Sequence, residues 1–188
     1  MTETQVNNLW TNEDLELFPN TEGINYEIIA GELLVSRSPH RFHQQIIVKI
    51  ATQLELWSQK SGLGETIISP GIIFSDTDSV IPDLIWVSKE RLAVIEDEQG
   101  HLTAAPELVI EVLSPGKENE RRDRRLKLKL YSVQGVQEYW LVDRFGKQVE
   151  VYRRQQGKLI LAGTFFTPDQ LSSPLLPEFI SQVQDFFP

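Results

Sequence analysis

Glu111 stands in the run Glu107-Leu108-Val109-Ile110-Glu111-Val112-Leu113-Ser114-Pro115, which has the composition of a buried strand and is closed by a Ser-Pro-Gly turn. With a period of two, Val109, Glu111 and Leu113 share one face, and an ionised carboxylate between two aliphatic neighbours is costly unless a positive group meets it. Asp83 follows a proline at the head of Leu84-Ile85-Trp86-Val87, a second short buried strand. If the two strands are neighbours in one sheet, their carboxylates converge near one edge. Paired oxygen ligands in a chain without cysteine suit a hard cation such as Mg²⁺ or Mn²⁺. Such an ion polarises a phosphoryl oxygen and lowers the pKa of a bound water. Taken singly, each acid has a plainer reading, Asp83 as a turn cap and Glu111 as the partner of an arginine. As a pair on two central strands they favour a site.

An amine follows on the next element. The periodicity predicts a helix from about Glu118 to Gln134, ended by Gly135, with Leu126, Leu130 and Val133 as its core stripe. Asp123 and Lys127, four residues apart, share one flank of that stripe, while Arg124, Arg125 and Arg121 turn progressively towards solvent. From that border the Lys127 ammonium can reach the sheet edge where Glu111 ends, and there orient a water or offset charge on a phosphate. The plainer alternative is an i,i+4 Asp123–Lys127 pair worth about 0.2–0.5 kcal/mol. Lys129 lies on the opposite flank and is the weaker candidate. His43, near the start of another helix among Arg41, Gln44 and Gln45, is either a phosphate contact or a solvated side chain, and His101 falls in a loop. The chain has no glycine-rich phosphate loop, serine elbow or His-x-x-x-His pair.

These residues need elements to carry them. Thr11-Asn12-Glu13-Asp14 opens a short helix over 11–18, stopped by Pro19-Asn20. Tyr26–Ile29 and Glu32–Ser36 flank Ala30-Gly31 as a β-hairpin. The spacing of Ile46, Ile47, Ile50, Leu54 and Trp57 predicts a helix from about His40 to Gln59. Glu65–Ser69 and Gly71–Phe74 read as short strands before the acidic loop Ser75–Ser79, and Lys89–Ile95 as a brief helix. Tyr139–Val142 is a buried strand, and a second hairpin joins Val149–Arg153 to Lys158–Leu161. A helix is expected over 177–187. Strand 107–113, helix 118–134 and strand 138–142 make a βαβ unit, whose two strands should run parallel with a right-handed crossover. Trp57, Trp86 and Trp140 fall in apolar runs and belong to the core.

With 188 residues, 40% apolar and 24% charged, the chain has the length and composition of one α/β domain, with a core over about 24–165 and the two terminal helices as additions. The absence of cysteine excludes disulfides, zinc–thiolate sites and thiol nucleophiles, and is compatible with a cytoplasmic location. No stretch approaches the roughly 18 apolar residues of a membrane span, and residues 1–8 lack the pattern of a signal peptide. The net charge of −9 argues against coating nucleic acid through an overall field. One basic strip stands out between Lys117 and Lys129, with Arg121, Arg122, Arg124, Arg125 and Lys127. It fits a protein that meets a polyanion at a single place, and equally a solvated helix face.

The succession Tyr26-Glu27-Ile28-Ile29-Ala30-Gly31-Glu32-Leu33, His43, Pro82-Asp83, Glu107–Pro115, Asp123-Arg124-Arg125-Leu126-Lys127-Leu128 and Glu138-Tyr139-Trp140-Leu141-Val142-Asp143 resembles the Uma-two family of the restriction-endonuclease-like, PD-(D/E)XK superfamily. The resemblance runs from about Tyr26 almost to the C-terminus. It implies a restriction-endonuclease-like domain with a mixed central β-sheet flanked by helices and extra hairpins. It implies a Mg²⁺- or Mn²⁺-dependent endonuclease acting on DNA. Asp83 and Glu111 would be its metal-binding carboxylates and Glu27 an accompanying acid at the same metal. The superfamily lysine two residues after the strand carboxylate is here Leu113, and the matching amine is Lys127, with Asp123 and His43 in support. Arg121, Arg122, Arg124 and Arg125 would contact phosphates, and a homodimer is compatible with cutting both strands. Glu138 and Asp143 are read as structural. The alternatives are a catalytically silent module that keeps the nuclease fold for binding or assembly, and a metal-dependent phosphohydrolase of a small molecule.

Overall fold

The structure, a computed structural model, describes residues 9–19 and 21–188; the reading of residues 1–8 and the helix stop at Asn20 fall outside them. Two hydrophobic runs, Leu108–Val112 and Glu138–Asp143, lie at the centre because strands buried on both faces need near-continuous apolar sequence. In chain order the elements are α1 (Asn12–Glu16), β1 (Ile24–Ile29), β2 (Glu32–Arg37), α2 (Arg41–Ser61), β3 (Gly64–Ile68), β4 (Ile72–Ser75), β5 (Asp78–Val80), β6 (Leu84–Ser88), α3 (Lys89–Ile95) and β7 (Leu108–Val112). They continue with α4 (Lys117–Arg121), a π-helical stretch Arg122–Lys127, α5 (Leu128–Gln134), β8 (Glu138–Asp143), β9 (Gln148–Gln155), β10 (Lys158–Phe166), β11 (Gln170–Ser173) and β12 (Leu176–Gln182). No described helix is long and apolar enough to cross a membrane.

The main sheet is six-stranded, in the order β10-β9-β8-β7-β6-β3. It is mixed: β7 and β8 run parallel, with Glu111 opposite Leu141, and every other pair is antiparallel. Strand β6 pairs with β7 through Leu84 and Ile110, which sets Asp83 beside Glu111. Alternation divides the core. Leu84, Trp86, Leu108, Ile110, Trp140 and Val142 face Ile46, Ile50 and Leu54 of α2, together with Phe179 and Phe186. Ile85, Val87, Val109, Tyr139 and Leu141 face Leu130, Tyr131 and Ile29 on the other side. There a four-stranded sheet, β2-β1-β5-β4, brings Glu27 to the main sheet. Its β1–β2 hairpin turns through Ala30 (φ 52°) and Gly31 (φ 76°), both left-handed as a two-residue hairpin turn requires.

Two expectations about secondary structure change. The segment expected as a helix over 177–187 is strand β12, paired antiparallel with β11, followed by a single 3-10 turn from Val183 to Phe186. Its burial alternates, with Phe179, Ser181 and Val183 inside and Ile180 outside, which is the period of a strand. The apolar positions Phe179, Val183 and Phe186 happen to share helical spacing as well. The acidic loop Ser75–Ser79 also proves to be the turn of a hairpin that includes β5.

The helix carrying Lys127 is present from Lys117 to Gln134 and ends at Gly135 (φ 99°), but its buried face is not the apolar stripe. Leu130 and Tyr131 point inward together with Asp123 and Lys127, whereas Val133 is 73% exposed and Leu126 only partly buried. The helix turns polar residues towards the sheet because the sheet offers them carboxylates. The π stretch, which makes looser turns of the kind often found at functional sites, is the part that carries Asp123 and Lys127.

Candidate active site

Four elements deliver the side chains. Glu27 comes from β1, Asp83 from the entry to β6, Glu111 from β7, and Lys127 with Asp123 from the π stretch. Glu111 Oε1 accepts from Lys127 Nζ at 2.8 Å and from Tyr131 OH at 2.8 Å. The same ammonium lies 3.0 Å from Glu27 Oε1, which also accepts from the Ile81 backbone N–H at 2.9 Å. Asp83 Oδ2 accepts from the Val112 N–H at 2.8 Å and is 3.1 Å from Nε2 of the buried His43. Asp123 is held by Arg122 Nε at 2.9 Å.

Each of the three acids Glu27, Asp83 and Glu111 is thus anchored through one oxygen. Among the described residues Glu27 Oε2, Asp83 Oδ1 and Glu111 Oε2 accept no hydrogen bond. All three acids line one cleft of about 80 Å³, with His43, Arg122 and Lys127. Since one water occupies about 30 Å³ of liquid, that space suits a small ion with part of its hydration shell.

Electrostatics are set by an excess of buried acids over cations. Burial pushes the Glu111 carboxyl up to about 8; Lys127 opposes this and the charges of Asp83, Asp123 and Glu27 add to it. Burial alone would drive Lys127 down, but Glu111, Glu27 and Asp123 outweigh it and hold the amine firmly as ammonium. The two shifts are compatible: Glu27 and Asp123 keep the ammonium compensated even while Glu111 carries a proton. Asp123 is also raised by burial, against the pull of Lys127 and Arg122. Tyr131, buried, stays a neutral phenol far above its ordinary range and so remains a donor to Glu111.

No three His, Cys, Asp or Glu side chains among the described residues form a ready-made metal cage. The donor set nevertheless fits a hard cation. Mg²⁺ is commonly bound by one or two carboxylates and keeps several waters, and here two strand carboxylates each present an unbonded oxygen to a polar cleft.

A family model for Uma2, described as "Putative restriction endonuclease", matches residues 12–184. The chain belongs to the Uma2 family. Its structure is similar to the crystal structure of "a putative nuclease belonging to DUF820 from Anabaena variabilis", with a TM-score of 0.73 and 23% identity over 94% of this chain and 97% of that one. At that identity the likeness establishes a shared nuclease-like fold. The type IIG restriction endonuclease BpuSI is matched more distantly, with a TM-score of 0.42 and 13% identity over 77% of this chain and 15% of that one. No curated protein sequence matches the chain.

In this Uma2 chain, Asp83, Glu111, Glu27, Lys127 and His43 come together at one cleft, whereas Asp123 does not line it and is buried against Arg122. His43 is not solvated on a helix surface, as one reading had it; it is buried against Asp83. The four arginines divide. Arg121 and Arg125 are exposed, Arg122 is tied to Asp123, and Arg124 is paired with both Glu120 and Glu150. Leu113, at the superfamily lysine position, is buried in the apolar core. Glu138 and Asp143 have structural partners: Glu138 joins Trp140, Arg153 and Ser173, and Asp143 accepts from the N–H groups of Phe145 and Gly146. Sequence reasoning missed Tyr131 and Arg37, the latter a cleft-lining residue at the end of β2. Tyr131 had a signal, lying four residues beyond Lys127 on the same helix face. Arg37 had none, since nothing local to β2 indicates which cleft its end meets.

Proposed function

We propose that this protein is a Mg²⁺- or Mn²⁺-dependent endonuclease that hydrolyses phosphodiester bonds of DNA. The observation that carries the reading is the Lys127 ammonium, buried 2.8 Å from Glu111 and 3.0 Å from Glu27 in the cleft that also holds Asp83. Family membership supports a nuclease, and the oxygen donors Asp83 and Glu111, with Glu27 beside them, suit a hard cation. The bound ion would supply Lewis-acid activation of a phosphate oxygen and a water of lowered pKa.

The chain's own residues have distinct tasks in this reading. His43 and the Val112 N–H fix Asp83 through one oxygen, leaving the other for the ion. Tyr131 and Lys127 do the same for Glu111. Lys127 is kept protonated by its acidic neighbours, so it serves as a hydrogen-bond donor and fixed positive charge towards the attacking water or the phosphate, not as a base. Arg121 and Arg125, exposed along the helix, contact phosphates and position the nucleic acid without reading its sequence.

Cleavage of supercoiled plasmid in Mg²⁺ or Mn²⁺ tests the proposal. The expected result is nicking by the native protein and a loss of at least about a hundredfold in Asp83→Asn, Glu111→Gln and Lys127→Ala, the scale of removing an electrostatic catalytic group. Undiminished cleavage by the Asp83→Asn/Glu111→Gln double variant sinks the assignment. One observation favours a second reading, a silent module for binding or assembly: Lys127 and Arg122 already compensate much of the acidic cluster. Calorimetric titration with Mn²⁺ separates the two, because the silent module takes up no ion at the cleft.

A further inference from the structure

Two segments next to the cleft carry aromatic rings under guanidinium groups, the half-buried Phe42 at the start of α2 and the exposed Phe145 in a turn. At the start of α2 the Arg41 guanidinium lies 3.9 Å from the centroid of Phe42, the residue immediately before His43. In the β8–β9 turn the Arg144 guanidinium lies 4.1 Å from the centroid of Phe145, which is 62% exposed. The turn is fixed: Asp143 Oδ1 accepts from the N–H groups of both Phe145 and Gly146, at 2.9 and 3.0 Å. Phe42, Ile46, Phe187, Arg144 and Lys147 line a cavity of about 210 Å³. That is below the size of a drug-like pocket and fits a single small ring system. Phe145 lines a neighbouring cavity together with Ser114, and Ser114 also borders the acidic cleft. Arg144 Nε is buried with no acceptor among the described residues, so a donor without a partner sits beside the first cavity.

In a chain of net charge −9, aromatic faces grouped with Arg41, Arg144 and Lys147 complement a ligand that is both anionic and flat. A paired duplex keeps its base faces stacked inside, and only unpaired bases can be laid on aromatic rings or guanidinium planes. We propose that Phe42 and Phe145, with Arg41, Arg144 and Lys147, form a stacking site for the unpaired bases of single-stranded nucleic acid beside the cleft. This rests on the nuclease reading of that cleft and names its substrate as a strand with unpaired nucleotides. The bases lie on the rings, and the phosphates face the three cations.

The test is fluorescence anisotropy in EDTA with a labelled oligothymidylate, the duplex of the same length, and an abasic strand of the same length. The native protein should bind the oligothymidylate more tightly than the duplex or the abasic strand. Phe145→Ala should weaken oligothymidylate binding roughly 5- to 100-fold, the effect of losing one base–aromatic stack, and leave the abasic strand unaffected. Phe145→Trp should retain the affinity. Phe145 is exposed, so these variants keep the fold, and a thermal melt checks that. Equal affinity for oligothymidylate and abasic strand, or equal weakening of both by Phe145→Ala, overturns the stacking site. The plasmid assay separates the two readings. Base-dependent binding without any cleavage supports the stacking site and overturns the nuclease; cleavage without base-dependent binding does the reverse.

Discussion

Lys127 is an ammonium closed in among acids, and the site depends on that one charge. Replacing it with the similarly sized, uncharged methionine leaves Glu111 and Glu27 buried without their cation. Lys127→Met should therefore lower stability by about 3–5 kcal/mol at pH 8, the cost of breaking a buried ion pair from one side. At pH 5 the loss should shrink, because the protonated carboxyl of Glu111 needs no partner; urea unfolding at the two pH values checks this, and equal losses point to packing alone. Glu111 gives a second prediction at this scale. Its carboxyl titrates near 8 in the fold, above its ordinary 4.5. With the folded value raised, its contribution to stability is fully present below 4.5 and is lost as the pH rises through 8. A cation needs the ionised form, so Mn²⁺ affinity should rise about tenfold per pH unit towards pH 8 and then level off. Calorimetry at pH 6, 7, 8 and 9 reads it, and a flat profile contradicts the assignment of Glu111 as ligand. Both strand carboxylates were legible from the sequence, because a charge in an apolar strand and an acid after proline are local anomalies. Tyr131 could be found only through its spacing from Lys127, since the partner of its hydroxyl lies on another element.

Elements are placed by which residues they bury, and the helix after β7 buries two charged ones, Asp123 and Lys127. An apolar stripe of Leu126, Leu130 and Val133 is the natural reading of the sequence, since a helix face is expected to be hydrocarbon. Only Leu130 of the three is fully inside. The buried face is centred instead on Asp123, Lys127 and Tyr131, whose energy comes from the carboxylates they meet. Two truncations separate the descriptions. Leu130→Ala should cost about 2–5 kcal/mol, as a core cavity does, whereas Val133→Ala should stay within roughly 0.5 kcal/mol. Equal costs in chemical denaturation would return the helix to its apolar stripe. The C-terminal segment failed for a different reason. Phe179, Val183 and Phe186 satisfy a helical period, while Phe179, Ser181 and Val183 satisfy a strand period, and only pairing with β11 decides between them. Strand pairing of this kind is tertiary information. The helix from Arg41, the β1–β2 hairpin and the parallel β7–β8 pair were legible because turn residues and long apolar periods mark them locally.

On the scale of the whole molecule, the proposed function requires an acidic body to approach a polyanion. The net charge of −9 repels DNA at long range, so binding must come from a few cations within a Debye length of the phosphates, about 8–10 Å at ordinary ionic strength. The basic strip visible in the sequence overstates how many are available. Arg122 and Arg124 are already committed to Asp123, Glu120 and Glu150, and only Arg121 and Arg125 of the four are exposed. A run of positive charge can be read from one segment; its internal neutralisation depends on Glu150, which lies on β9. The salt dependence of duplex binding follows from this. With the two phosphate contacts of Arg121 and Arg125, the logarithm of the binding constant should fall against the logarithm of salt concentration with a slope of about −2, far shallower than that of a protein with a broad basic face. Arg121→Ala and Arg125→Ala should each reduce that slope by about one, whereas Arg124→Ala should leave the slope unchanged, because its charge is already spent on two glutamates. Anisotropy of a labelled duplex with the Asp83→Asn protein, over a series of potassium chloride concentrations, gives all four slopes. A full unit lost in Arg124→Ala would show that DNA displaces the Glu120 and Glu150 pairs, and that the whole basic strip, not its two exposed arginines, meets the phosphates.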